Sequence, residues 1–152
     1  MGYFKAEDTI NGQEGKAQVT INGKVEDMFY AKNIEATFEK NKEELKLLGK
    51  RGVSTKTAGW SGKGSMTIYY VTSLFRKMAM DYIKKGKDTY FELLITNEDP
   101  ASGVGRQSIV LHNCNFDSVV MAKIDVESAA MEEDIDFTFD DVDIIEEFTS
   151  LA

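Results

Sequence analysis

The chain has little of what chemically active proteins usually display. Among its 152 residues there is one cysteine, Cys114, one histidine, His112, and one proline, Pro100. A lone cysteine excludes an intrachain disulfide framework and suits a reducing compartment. One cysteine and one histidine cannot make a zinc site without carboxylates, and no helical ligand pair is present. The scarcity of proline points away from Pro-rich linkers and recognition tails. No apolar run approaches the length needed to cross a bilayer. Met1-Gly2-Tyr3-Phe4-Lys5 leads into polar residues rather than the apolar core of a signal peptide, so no membrane anchor is expected.

Basic charge is also in short supply. Lys and Arg number 18 against 26 Asp and Glu, a formal net charge of -8. That balance argues against high-affinity nucleic-acid binding, which needs a basic surface to neutralise phosphates. The length fits a single domain, residues 1–152, with enough chain for a real core. The charges are segregated. From Leu45 to Ser65 every ionisable side chain is basic, and after Lys123 there is no Lys or Arg at all. Opposite signs on separate segments suit head-to-tail contact between copies, where complementary potentials steer partners; two solvated surfaces are the alternative.

What is present reads mostly as strands. Residues 1–14 have no clear period and are expected to form an N-terminal arm. Residues 16–21 alternate as a strand, and Asn22-Gly23 is a hairpin-turn signal. Residues 24–40 form a long half-buried strand, with Met28, Tyr30, Ile34, Ala36 and Phe38 on one face. Residues 43–48 make a shorter strand that enters a Gly/Lys-rich stretch at about 49–65. That stretch cannot bury enough apolar area to offset its chain entropy, so it is expected to be a long mobile loop.

Residues 66–71 read as a central strand. Ser73–Lys85 is the one convincing helix, with a Leu74, Phe75, Met78, Ala79, Tyr82, Ile83 stripe for core packing and Gly86 as its stop. Strands follow at 89–96, at 107–113 (continuing through 116–121 after a bend near 113–115), and at Ile135, Phe137 and Phe139. An acidic tail is expected from about 141 to 152. The fold class is therefore mainly β: an antiparallel barrel or sandwich with one flanking α-helix and a long Gly/Lys-rich loop.

The glycines do not form a phosphate site. A Walker loop needs glycine five positions before Gly62, where Thr57 stands, and Gly64 occupies the place of the Mg²⁺-binding hydroxyl. Gly103-Val104-Gly105 leads into a strand rather than the helix of a dinucleotide fold. His112 and Cys114, two apart on one strand, share a face without an orienting third group, so a nucleophilic pair is not supported. The late acids lack EF-hand spacing. Neither catalytic residues nor a cofactor are expected.

Three stretches carry a resemblance over essentially the whole chain. They are Asp8-Thr9-Ile10-Asn11-Gly12-Gln13-Glu14-Gly15-Lys16-Ala17, the run from Lys50 to Ser65, and Leu111-His112-Asn113-Cys114-Asn115-Phe116-Asp117. In these the chain resembles the tail tube (core tail) proteins of bacteriophages and of PBSX-type defective prophages. The resemblance implies a β-barrel-like fold with a flanking helix. It also implies hexameric rings that stack into the inner tube of a contractile tail, through which DNA passes without specific binding. Sheath, tape-measure and baseplate proteins are the implied partners. The implied location is the virion tail, after synthesis in the host cytoplasm. A tube protein of a contractile secretion or bacteriocin-like apparatus is the alternative, and a small β-barrel ligand-binding domain or enzyme a third. On charge, the assembly residues are expected to be Lys50, Arg51, Lys56, Trp60 and Lys63, ordering against Asp134, Asp136, Asp140, Asp141 and Asp143 of another copy.

Overall fold

A computed structural model of the chain describes Ala6, Gly12, residues 15–100 and residues 104–148. The expected N-terminal arm lies almost wholly outside these residues, as do residues 149–152 of the expected tail. Among the described residues eight strands and one helix follow in order: β1 (Gly15–Ile21), β2 (Lys24–Asp27), β3 (Ala31–Leu45), β4 (Ser54–Tyr69), α1 (Leu74–Lys85), β5 (Phe91–Glu98), β6 (Arg106–Ser118), β7 (Glu132–Phe139) and β8 (Asp141–Glu146). The strands run in the order β2-β1-β5-β6-β7-β4-β3, with β8 also on β6, and every pairing is antiparallel. The mainly β fold with a single helix is as the sequence pattern requires.

The sheet is folded over on itself, and β6 is the hinge. Its first part pairs with β5 on one edge and β8 on the other, whereas Asn115, Phe116 and Ser118 pair with β7. Asn113 sits at the corner with φ +54°, a left-handed conformation that asparagine tolerates better than most residues. Its side-chain amide donates to Asp140 Oδ1 at 2.9 Å, and the Asp140 amide donates to the His112 carbonyl. The bend foreseen near 113–115 is thus a bulge within one strand, and the partner strand breaks opposite it, at Asp140 between β7 and β8.

Val19, Leu93 and Leu111 from one half of the folded sheet meet Met66, Ile68, Ile135 and Phe137 from the other, all buried. α1 closes the open side with Phe75 and Met78. Phe75 meets Phe91 edge-on at 5.8 Å between centroids, and Phe91 lies 6.4 Å from Phe137. This aromatic chain runs from the helix through the core to β7, and each such pair adds about 0.5–1.5 kcal/mol beyond its buried area. The helix has the expected bounds, with Gly86 left-handed at φ +68° and donating its amide to the Tyr82 carbonyl. At its N-terminus Ser73 makes no side-chain capping bond, and the Leu74 amide donates to Thr72 Oγ1 at 3.3 Å. Tyr82 and Ile83, expected in the core stripe, are exposed: the buried residues of α1 are Phe75, Met78 and Ala79, and its last turn is not covered.

Three readings of the sequence need correction. The strand at 24–40 is broken at Phe29-Tyr30, where the chain turns out of β2 and into β3. β3 in turn runs on as far as Leu45, taking in the first half of the segment read as a separate strand at 43–48, whose second half already belongs to the turn. The long loop at about 49–65 is mostly strand: only residues 46–53 turn, and residues 54–65 are the first part of β4, paired along its length with β3. The acidic tail is likewise a strand as far as Glu146, because β8 continues along β6 in the register that β7 begins.

Candidate assembly surface

The β3–β4 hairpin has two distinct parts. From Ile68 to Gly62, β4 is flanked by β3 on one side and β7 on the other. Gly62 is in register with Phe139 and Gly64 with Phe137. Each ring lies over its glycine: a Cβ on Gly62 would stand 2.4 Å from Phe139 Cε2, and one on Gly64 would stand 2.3 Å from Phe137 Cζ. The alternating glycines are therefore the core face of a strand, with close aromatic approach in place of side chains. Serine and lysine, at Ser61, Lys63 and Ser65, take the opposite face. The glycine-rich composition that suggests a loop is a packing solution for two phenylalanines.

Beyond Gly62 there is no third strand among the described residues. Among the described residues Glu39–Leu45 and Ser54–Ser61 pair only with one another, forming a two-stranded ribbon about 20 Å long at the usual rise per residue. An isolated pair of strands is marginally stable in water, so this ribbon is not built to stand alone. Trp60 anchors its base, 5.6 Å from Phe38 and 6.2 Å from Phe139 between ring centroids. It remains 40% exposed, so a good part of the indole still faces solvent. Lys50 and Arg51 sit at the tip, and Lys50 Nζ donates to Ser54 Oγ at 2.7 Å. Lys56 lies opposite Glu43. Leu45, Leu47, Leu48 and Val53 are all exposed around the tip.

The five acids expected to receive this segment fall into two groups. Asp134 and Asp136 lie on β7, on the polar face of the β3–β4–β7 sheet with Lys63, opposite the buried Ile135 and Phe137. Asp134 accepts from Thr67 Oγ1 at 2.6 Å. Asp140 is held at the strand corner by Asn113, and Asp141 and Asp143 lie on β8. Within one copy Lys63 is the one expected basic residue placed beside such acids, its strand partner Thr138 standing between Asp136 and Asp140.

Two matched clamps hold β8 in place, and neither was legible in the sequence. On β6, His112 Nδ1 meets Glu92 of β5 at 3.1 Å and His112 Nε2 meets Asp143 of β8 at 2.8 Å. Arg106, also on β6, bridges Glu98 of β5 and Glu146 of β8 at 3.4 and 3.0 Å. Both ring nitrogens of His112 can donate to carboxylates only if the imidazole is protonated. The bond to Glu92 first, and then that to Asp143, raises its pKa above the ordinary histidine value. Cys114 is on the other face: the Asn113 bulge turns its thiol into the core, where burial pushes its pKa up to about 12. The bulge thus separates two residues that simple alternation places on one face, and they form no catalytic pair.

The chain belongs to the phage tail tube protein family, whose pattern matches residues 2–146, and this is a family of structural proteins. It is similar to the phage-like element PBSX protein XkdM of Bacillus subtilis (strain 168), at 43% identity over 146 residues, 96% of this chain and 97% of the relative. The fold is shared with a chain in the sheath–tube complex of an extracellular contractile injection system (TM-score 0.64, 14% identity, 91% of this chain and 93% of that one). It is shared equally with the SPP1 tail tube (TM-score 0.63, 13% identity, 93% of this chain and 81% of that one).

Proposed function

We propose that this protein assembles as hexameric rings that stack into the inner tube of a phage tail, forming the conduit for DNA. The observation that carries the reading is the ribbon beyond Gly62: a strand pair with no third strand, exposed apolar tip residues and clustered cations has its use in contact with another copy. Family membership supports the tail tube role. The face of the β3–β4–β7 sheet that carries Glu35, Asp117, Asp134 and Asp136 suits a channel wall. Carboxylates there repel phosphate, so DNA passes without being gripped. Tail sheath, tape-measure and baseplate proteins are the partners this role requires, and the virion tail is its location.

Negative-stain electron microscopy of the protein at high concentration tests the reading. Tubes of stacked six-fold rings are expected, and a persistent monomer at every concentration would overturn it. A second reading, the tube of a contractile secretion apparatus, is favoured by the fold shared with the extracellular contractile injection system. Nuclease-protected DNA in particles purified with their heads separates the two.

A further inference from the structure

The projecting ribbon needs a seat, and β8 has the matching properties. Among the described residues β8 pairs with β6 alone, and none of them lies along its other edge. Exposed strand edges are usually guarded by lysine or proline, and β8 has neither. It presents Ile144 and Ile145, 57% and 60% exposed, among Asp141, Asp143, Glu146 and Glu147, with no basic residue in the same segment. The ribbon is its complement. From Lys40 to Lys56 it carries six cations against two acids, Glu43 and Glu44, and its tip exposes Leu45, Leu47, Leu48 and Val53. The outer edge of β3 is likewise unpaired among the described residues. Within one copy both apolar patches stay exposed, so neither covers the other.

We propose that the open edge of β8 receives the β3–β4 ribbon of a second copy, with β3 added alongside β8 as an extra strand. This rests on the self-assembly proposed above and names the surface that does it. Main-chain pairing supplies a third strand to a ribbon that has two, while the leucines of the tip cover Ile144 and Ile145. The cations of the tip then face the acids of β8. The contact joins two different surfaces, so each copy offers one seat and one ribbon, and addition repeats without self-limiting.

Cysteine cross-linking tests it, because Cys114 is buried, with its pKa pushed up to about 12, and stays silent. The full chain carrying Leu47→Cys is mixed with the full chain carrying Ile145→Cys, assembled and oxidised. A disulfide-linked dimer between the two variants is expected, absent when either is oxidised alone. Tubes without that dimer would overturn the β8 seat and leave the tube intact; failure of the unsubstituted protein to form tubes would overturn both. A charge swap gives an independent reading. Lys50→Asp with Arg51→Asp should slow assembly by about tenfold or more, and adding Asp141→Lys with Glu147→Lys should restore the rate. No recovery in the four-substitution chain would place the tip against another surface.

Discussion

The near and far halves of the β3–β4 hairpin are continuous strands that differ in what lies beneath them. In the near half, β4 is covered by β7 and the core, and Met66 and Ile68 are buried. In the far half the same two strands continue with neither β7 nor a core, and almost every side chain is exposed. Hydrogen-bonded strand geometry is therefore not what distinguishes them. The near half belongs to the monomer's stability, and the far half, on the proposed function, to its assembly. Substitutions should follow that division.

The largest effect is expected under the near half. Glu133, in register with Ile68, is buried and ion-paired to Arg76 of α1 at 2.5 Å, while its Oε1 has no hydrogen-bond partner among the described residues. Arg76→Met leaves that carboxylate alone in the core and should cost about 3–5 kcal/mol in urea unfolding. Gly64→Val comes next. The added side chain must displace Phe137, at a cost of roughly 1–3 kcal/mol or more, visible as a lower urea midpoint. A valine tolerated at position 64 without loss would mean that the near half is not packed as described.

The third prediction concerns the clamp on β8. A folded-state pKa raised above the unfolded value means that His112 stabilises the fold fully below about pH 6.5. That contribution is lost as pH rises through the raised value. Amide exchange in β8 should accelerate across this interval after correction for the intrinsic rate, and His112→Gln should remove the pH step while leaving the Arg106 clamp in place. The smallest effect on the monomer is expected in the far half. Lys56→Ala should change unfolding free energy by no more than about 0.5 kcal/mol and yet slow tube growth, most clearly at low salt. A large loss of monomer stability from Lys56→Ala would erase the distinction between the halves.

Much of this was legible residue by residue. The helix has its bounds in Leu74 to Lys85 because a 3.6-residue apolar stripe and a left-handed glycine are local signals. Asn22-Gly23 turns β1 into β2 for the same reason, with φ +51° and +80° at the two residues. β7 is read directly from Ile135, Phe137 and Phe139. Residues 54–65 were not legible, since glycine and serine carry little strand preference and the partners that justify Gly62 and Gly64 lie more than seventy residues away. The acids from Asp134 onward looked alike in sequence, and the corner at Asp140 divides them between a polar sheet face and an edge strand.

The sequence by itself determined the segregation of charge, the single helix, the predominance of strands and the resemblance to tail tube proteins. These depend on composition and on contacts a few residues apart. The tertiary structure alone decided that the glycine-rich stretch is a strand, where that strand leaves the core, and how the acids divide between a sheet face and β8. Each of these depends on side chains brought together across the fold: Phe137 on Gly64, Phe139 on Gly62, and His112 between Glu92 and Asp143.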